Sequence, residues 1–152
     1  SELIDIYVGQ ESASQQKFQA HKDILTSHSP FFEAAVNSTT WAEGLDKVVR
    51  MPDDDPEAFG IWLQLTYTGK MGIEDGSMEG NRVYELLMMV YVMAEKLIDS
   101  RTMDICMEAT LKRMRTMQHD GYRHFPGSKP IRILYGGTPE SSPMRRLLVD
   151  AY

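Results

Sequence analysis

Along the chain, apolar positions repeat every second residue near the N-terminus and every three or four residues elsewhere. In residues 1–10, Ile4, Ile6 and Val8 fall on one side and Asp5 and Tyr7 on the other, which predicts a half-buried strand. Residues 9–16 are polar and turn-like. Phe18 and Ala20 then alternate with Gln19 and His21, so residues 17–21 are expected to return antiparallel as a hairpin. The spacing turns helical at Ile24, Leu25 and His28, and restarts at Ser29-Pro30, where the Ser hydroxyl can accept an orphan N–H and Pro loses no bond at the first helical position. Phe31, Phe32, Ala35 and Val36 form the next apolar stripe.

After a polar connection over residues 37–46, Val48, Val49 and Met51 predict a third strand stopped by Pro52. Asp55-Pro56-Glu57 opens a helix bearing Phe59, Trp62, Leu63 and Tyr67, and Gly69 closes it. Residues 70–82 read as a loop. Val83, Leu86, Leu87, Val90, Ala94, Leu97 and Ile98 follow the helical template for four turns and mark a central helix. Asp99-Ser100 precede another, with Met103, Cys106, Met107, Thr110, Leu111 and Met114 on one face and Lys112, Arg113 and Arg115 at its negative pole. Residues 119–130 read as a loop, 131–135 as a short strand, 136–143 as a turn and 144–152 as a helix entered through Ser142-Pro143.

Several of these residues resemble a known family. The run His21-Lys22-x-x-Leu25-x-x-x-Ser29-x-x-Phe32 is similar to the signature of the BTB/POZ domain. It is supported by Asp5-Ile6, Asp55-Pro56-Glu57-Ala58-Phe59, Tyr67-Thr68-Gly69 and Tyr91-x-x-Ala94-Glu95-Lys96-Leu97, in the family's order. The resemblance implies an α+β fold: a small three-stranded sheet packed on a cluster of about five helices, plus a C-terminal strand and helix. Residues 1–117 are then the BTB/POZ core. Residues 118–152 are an extension packed on the same domain, similar to the segment C-terminal to the core in many fungal BTB proteins.

Composition narrows the function. A chain of 152 residues with 42% hydrophobic content fits one domain able to bury about 70% of its unfolded surface without a metal or disulfide. The single cysteine, Cys106, sits in an apolar helical pattern, as a core side chain in a reducing compartment would. The longest apolar run, residues 86–94, is well short of the ~20 residues that span a bilayer, and no signal segment is visible, so the expected location is intracellular, cytoplasmic or nuclear, with no membrane partner. A net charge of −6 works against nucleic-acid binding by this domain. The eleven methionines suit core filling or an adaptable binding surface.

Motifs for chemistry are missing. His21, His28, His119 and His124 lack metal-ligand spacing, and Asp53-Asp54-Asp55 lacks the Gly and Glu of a calcium loop. Neither a Gly-x-Ser-x-Gly elbow nor a phosphate or dinucleotide loop occurs, so neither enzymatic activity nor a cofactor is expected. Thr138-Pro139 and Ser142-Pro143 resemble proline-directed phosphorylation sites, which helix-start chemistry also explains.

Two constellations remain as candidate sites. Trp41-Ala42-Glu43 stands ahead of the third strand, where BTB domains that recruit a cullin scaffold carry a hydrophobic-x-Glu motif. The resemblance implies that Trp41 fills a partner pocket and Glu43 makes a polar rim contact; the other reading has Trp41 covering the domain's own core. Asp5 and Lys22 match a charged pocket of transcription-regulating members, or serve as a structural pair that ties the hairpin to the helix start. The implied function is self-association and partner recruitment, as a substrate adaptor for a cullin-based ubiquitin ligase or, alternatively, as the BTB domain of a transcriptional regulator recruiting corepressors. Many family dimers exchange a helix and strand that precede the first core strand; with only residues 1–3 there, a homodimer is left to the first helices.

Overall fold

A computed structural model of the chain describes residues 1–38, 47–73 and 79–152, and among these lie three strands and seven helices. Strands β1 (Leu3–Val8) and β2 (Gln16–His21) form the expected antiparallel hairpin, with Ile4 opposite Ala20 and Ile6 opposite Phe18. Strand β3 (Val48–Met51) pairs in parallel with the other edge of β1, giving the order β2-β1-β3. Parallel pairing requires a crossover, and helices α1 (Lys22–His28) and α2 (Pro30–Val36) stand in the chain between β2 and β3.

Two compact units make up the described chain. The first is Ser1–Gly72 with Lys96–Asp99. In it the alternation read from the sequence becomes one buried face, with Ile4, Ile6, Val8 and Ala20 inaccessible to solvent. Helix α3 (Pro56–Thr68) brings Phe59 and Trp62 into an aromatic cluster: Phe18 meets Phe59 edge-on at 5.0 Å and Phe32 stacks on Trp62 at 5.9 Å. Trp62 is also fully buried, so its indole N–H requires a partner; it donates to Asp99 Oδ2 at 2.9 Å.

Local chemistry fixes the ends of these elements. The Ser29 Oγ accepts the Phe32 N–H at 3.2 Å and donates to the Leu97 carbonyl at 2.7 Å, so the Ser-Pro corner caps α2 and anchors a distant turn with one hydroxyl. Asp55 caps α3 by accepting the Ala58 N–H at 3.1 Å, and Gly69, at φ 74°, closes it with an N–H bond to the Leu65 carbonyl.

The second unit is Ile73–Glu95 with Ser100–Tyr152. Helix α4 (Gly80–Lys96) carries buried residues on every side, including Tyr84, Leu86, Met88, Val90 and Tyr91, as a central helix should. It starts inside the stretch expected as a loop and stops before Ile98. That residue is exposed and held at φ 59°, so it is a turn residue and not part of the apolar face. Helix α5 (Ser100–Arg115) buries Cys106, Thr110 and Met114 as the spacing implied.

The C-terminal region differs from expectation at one element. Residues 131–135 are not a strand; they lie within helix α6 (Ser128–Gly137). The β-branched Ile131 and Ile133 favour a strand locally, but the buried positions are Pro130 and Leu134, a helical spacing of four. Gly127 ahead of the helix donates its N–H to Asn81 Oδ1 at 3.0 Å, and Gly137 at its end lies so near Val92 that a Cβ would sit 2.4 Å from a methyl group. The tail therefore adds two helices, α6 and α7 (Pro143–Ala151). Ser142 is buried but does not cap α7 with its side chain. Its Oγ lies 3.0 Å from Glu95 Oε2 and 3.3 Å from Tyr91 Oη, which in turn accepts the Met144 N–H at 3.4 Å. Burial is the leading cause that pushes the Tyr91 hydroxyl above its ordinary pKa, and it stays neutral.

Candidate partner-binding site

Trp41, Ala42 and Glu43 lie outside the described residues, but both ends of their segment are described. On one side Asn37 caps the end of α2, its N–H bonding the Glu33 carbonyl at 3.1 Å. On the other, the Lys47 carbonyl accepts the Asp5 N–H at 2.9 Å just before β3 begins. The motif thus belongs to the connection between a short amphipathic helix and an edge strand of the sheet.

Asp5 and Lys22 are not joined to each other. The hairpin register sets Asp5 opposite Gln19, and its carboxylate accepts from Gln19 Nε2 at 2.9 Å and faces Lys17 Nζ at 3.7 Å. Lys22 lies three residues beyond Gln19, at the first turn of α1, where its Nζ meets Glu2 at 3.3 Å. Lys47 closes on the same carboxylate, and these two ammonium groups, Lys47 foremost, hold Glu2 below the ordinary carboxylate range. The cluster of Glu2, Lys22 and Lys47 ties together the starts of β1, α1 and β3. Neither Glu2 nor Lys47 stands in an apolar pattern, so periodicity does not single them out; pairing register alone points to Glu2, one step beyond Leu3 opposite His21.

Beside Lys22 the surface is concave. A groove of about 480 Å3 runs between α1 and α2, lined by Lys22, Asp23, Thr26, Glu33, Val36 and Asn37. Its lining is of mixed charge and shallow, suited to polar contacts with a partner. Among the described residues no group of His, Cys, Asp and Glu could hold a metal ion, and Cys106 is buried and forms no disulfide. No helix among them is long and apolar enough to cross a membrane.

Comparison with known families places this arrangement. The family model for the BTB/POZ domain matches residues 1–112. The chain belongs to the BTB/POZ family. Its fold is correspondingly α+β, and the family's domains are protein–protein interaction modules that also mediate dimerisation. Among curated proteins, Influenza virus NS1A-binding protein homolog B of Danio rerio is 29% identical over 120 residues, which are 79% of this chain and 17% of that protein. The chain thus spans about a sixth of the length of this relative. Among solved structures, the BTB domain of zebrafish PATZ1 superposes with a TM-score of 0.52 at 22% identity, covering 72% of this chain and 76% of that one, a likeness of fold. Residues 113–152, which include α6 and α7, lie beyond the family match.

Proposed function

We infer that the BTB/POZ domain of this chain acts as an adaptor that presents the Trp41-Ala42-Glu43 segment to a cullin-type scaffold while recruiting a second protein. The observation that carries the reading is the motif's place, between α2 and β3 of a family whose domains work by protein contact. Trp41 supplies an aromatic anchor and Glu43 a polar rim contact, the usual division of labour in a small interface. Residues 1–117 serve as the docking core, and 118–152 as an extension of it.

A purified cullin N-terminal region offered to the immobilised chain tests this. Capture by the unaltered chain, with loss for Trp41→Ala and Glu43→Lys, supports the adaptor. Absence of capture, or equal capture by both variants, overturns it. A second reading, recruitment of corepressors by a transcriptional regulator, draws on the polar groove beside Lys22. It predicts that Lys22→Glu, and not Trp41→Ala, abolishes partner capture.

A further inference from the structure

The charge of the chain is divided unevenly. Residues 111–152 hold eight Lys and Arg against three Asp and Glu, a net of +5, so residues 1–110 carry −11 and the whole chain −6. Within the basic stretch, and inside the second unit, lies a groove of about 710 Å3 formed by the end of α5, the connection to α6, and α7. Its floor is apolar: Leu111, Met114, Phe125 and Leu147 line it, and Phe125 keeps 43% of its surface exposed. Arg115 and Arg123 stand on its rim, both exposed, and neither side chain makes a hydrogen bond or ion pair among the described residues. Asp150 also lines it and opposes part of that charge. The wall is held in place, since Tyr152 packs edge-on against Phe125 at 5.3 Å and its hydroxyl donates to the Pro126 carbonyl at 2.6 Å.

We propose that this groove docks an acidic amphipathic segment of a partner protein, whose apolar face covers Leu111, Phe125 and Leu147 while its carboxylates meet Arg115 and Arg123. Charge complementarity selects the occupant: two exposed guanidiniums over an apolar floor match a helix with one apolar and one acidic face. A nucleic acid would use the guanidiniums and leave the apolar floor uncovered, with Asp150 set against its phosphates. This site is separate from the Trp41 segment, and its test does not depend on cullin binding.

Fluorescence anisotropy of a labelled synthetic helix, leucine on one face and glutamate on the other, measures the interaction with the full chain. A second helix with the same leucine face and lysine in place of glutamate is the control. The acidic helix is expected to bind at least about tenfold more tightly than the basic one, and to lose about tenfold in the double variant Arg115→Glu, Arg123→Glu, with weakening at raised salt. Phe125→Ser should weaken it without changing the salt dependence. Unaltered circular dichroism shows that the exposed charge reversals leave the fold intact. Equal affinity for both helices, or indifference to the charge reversals, overturns the proposal. So does preferential binding of a DNA duplex or of phosphatidylserine vesicles, or peptide-independent self-association that the reversals abolish.

Discussion

Ser29 shows how much one side chain can carry. Its hydroxyl serves α2 as a cap and also satisfies the buried Leu97 carbonyl, in a position with no access to solvent. Ser29→Ala removes the cap and leaves a buried acceptor unpaired, so it should destabilise the domain by about 2–3 kcal/mol, read from urea unfolding. Ile98 is the opposite case. A β-branched residue in the left-handed region costs about 1–2 kcal/mol, and Ile98 is 58% exposed, so it regains little of this by burial. Ile98→Gly is therefore expected to raise stability, by about 1 kcal/mol or less once the added freedom of the unfolded chain is subtracted. Glu2 adds a pH dependence. Its carboxyl is held low in the folded state by Lys47 and Lys22, so its stabilisation is present above the unfolded pKa of about 4.3 and is lost as pH falls through the folded value. Glu2→Gln should lower the melting temperature slightly at neutral pH, with the gap closing in acid and in high salt because the pair is exposed.

At the scale of elements, patterns with strong periodicity can be read directly from the chain. The alternation of Ile4, Ile6 and Val8, the Ser29-Pro30 corner, and the Asp55 and Gly69 ends of α3 all rest on chemistry within a few residues, and local rules suffice there. Helix α6 cannot be read this way. Ile131 and Ile133 favour a strand locally, whereas the burial of Pro130 and Leu134 and the packing of the segment's two ends near Asn81 and Val92, about 45 residues away in sequence, go with a helix. Ile98 misleads for a related reason: it continues the apolar period by one step past the point where the backbone turns. The pairing of the charged candidates depends on register, since residue types alone cannot say that Lys22 faces Glu2 while Asp5 faces Gln19. The docking of α7 offers a check on the extension. Tyr91→Phe removes the acceptor of the buried Met144 N–H and a neighbour of Ser142, and should cost about 1–3 kcal/mol, with hydrogen exchange rising first in α7.

At the scale of the whole molecule, a BTB/POZ domain is a protein–protein interaction module, and its surfaces are where partners meet it. Two of its open grooves lie on different parts of the chain: a polar one beside Lys22, and an apolar one with arginine rims near the C-terminus. The N-terminal portion is acidic and the C-terminal one basic, so the two proposed sites differ in the charge of the partner surface each would favour. Isothermal titration calorimetry with a cullin N-terminal region tests the proposed cullin-type contact most directly. A buried aromatic anchor is commonly worth about 2 kcal/mol, so Trp41→Ala should weaken binding by about thirtyfold, with the fold retained by circular dichroism. Unchanged affinity in Trp41→Ala, or no heat of binding for the unaltered chain, would contradict it.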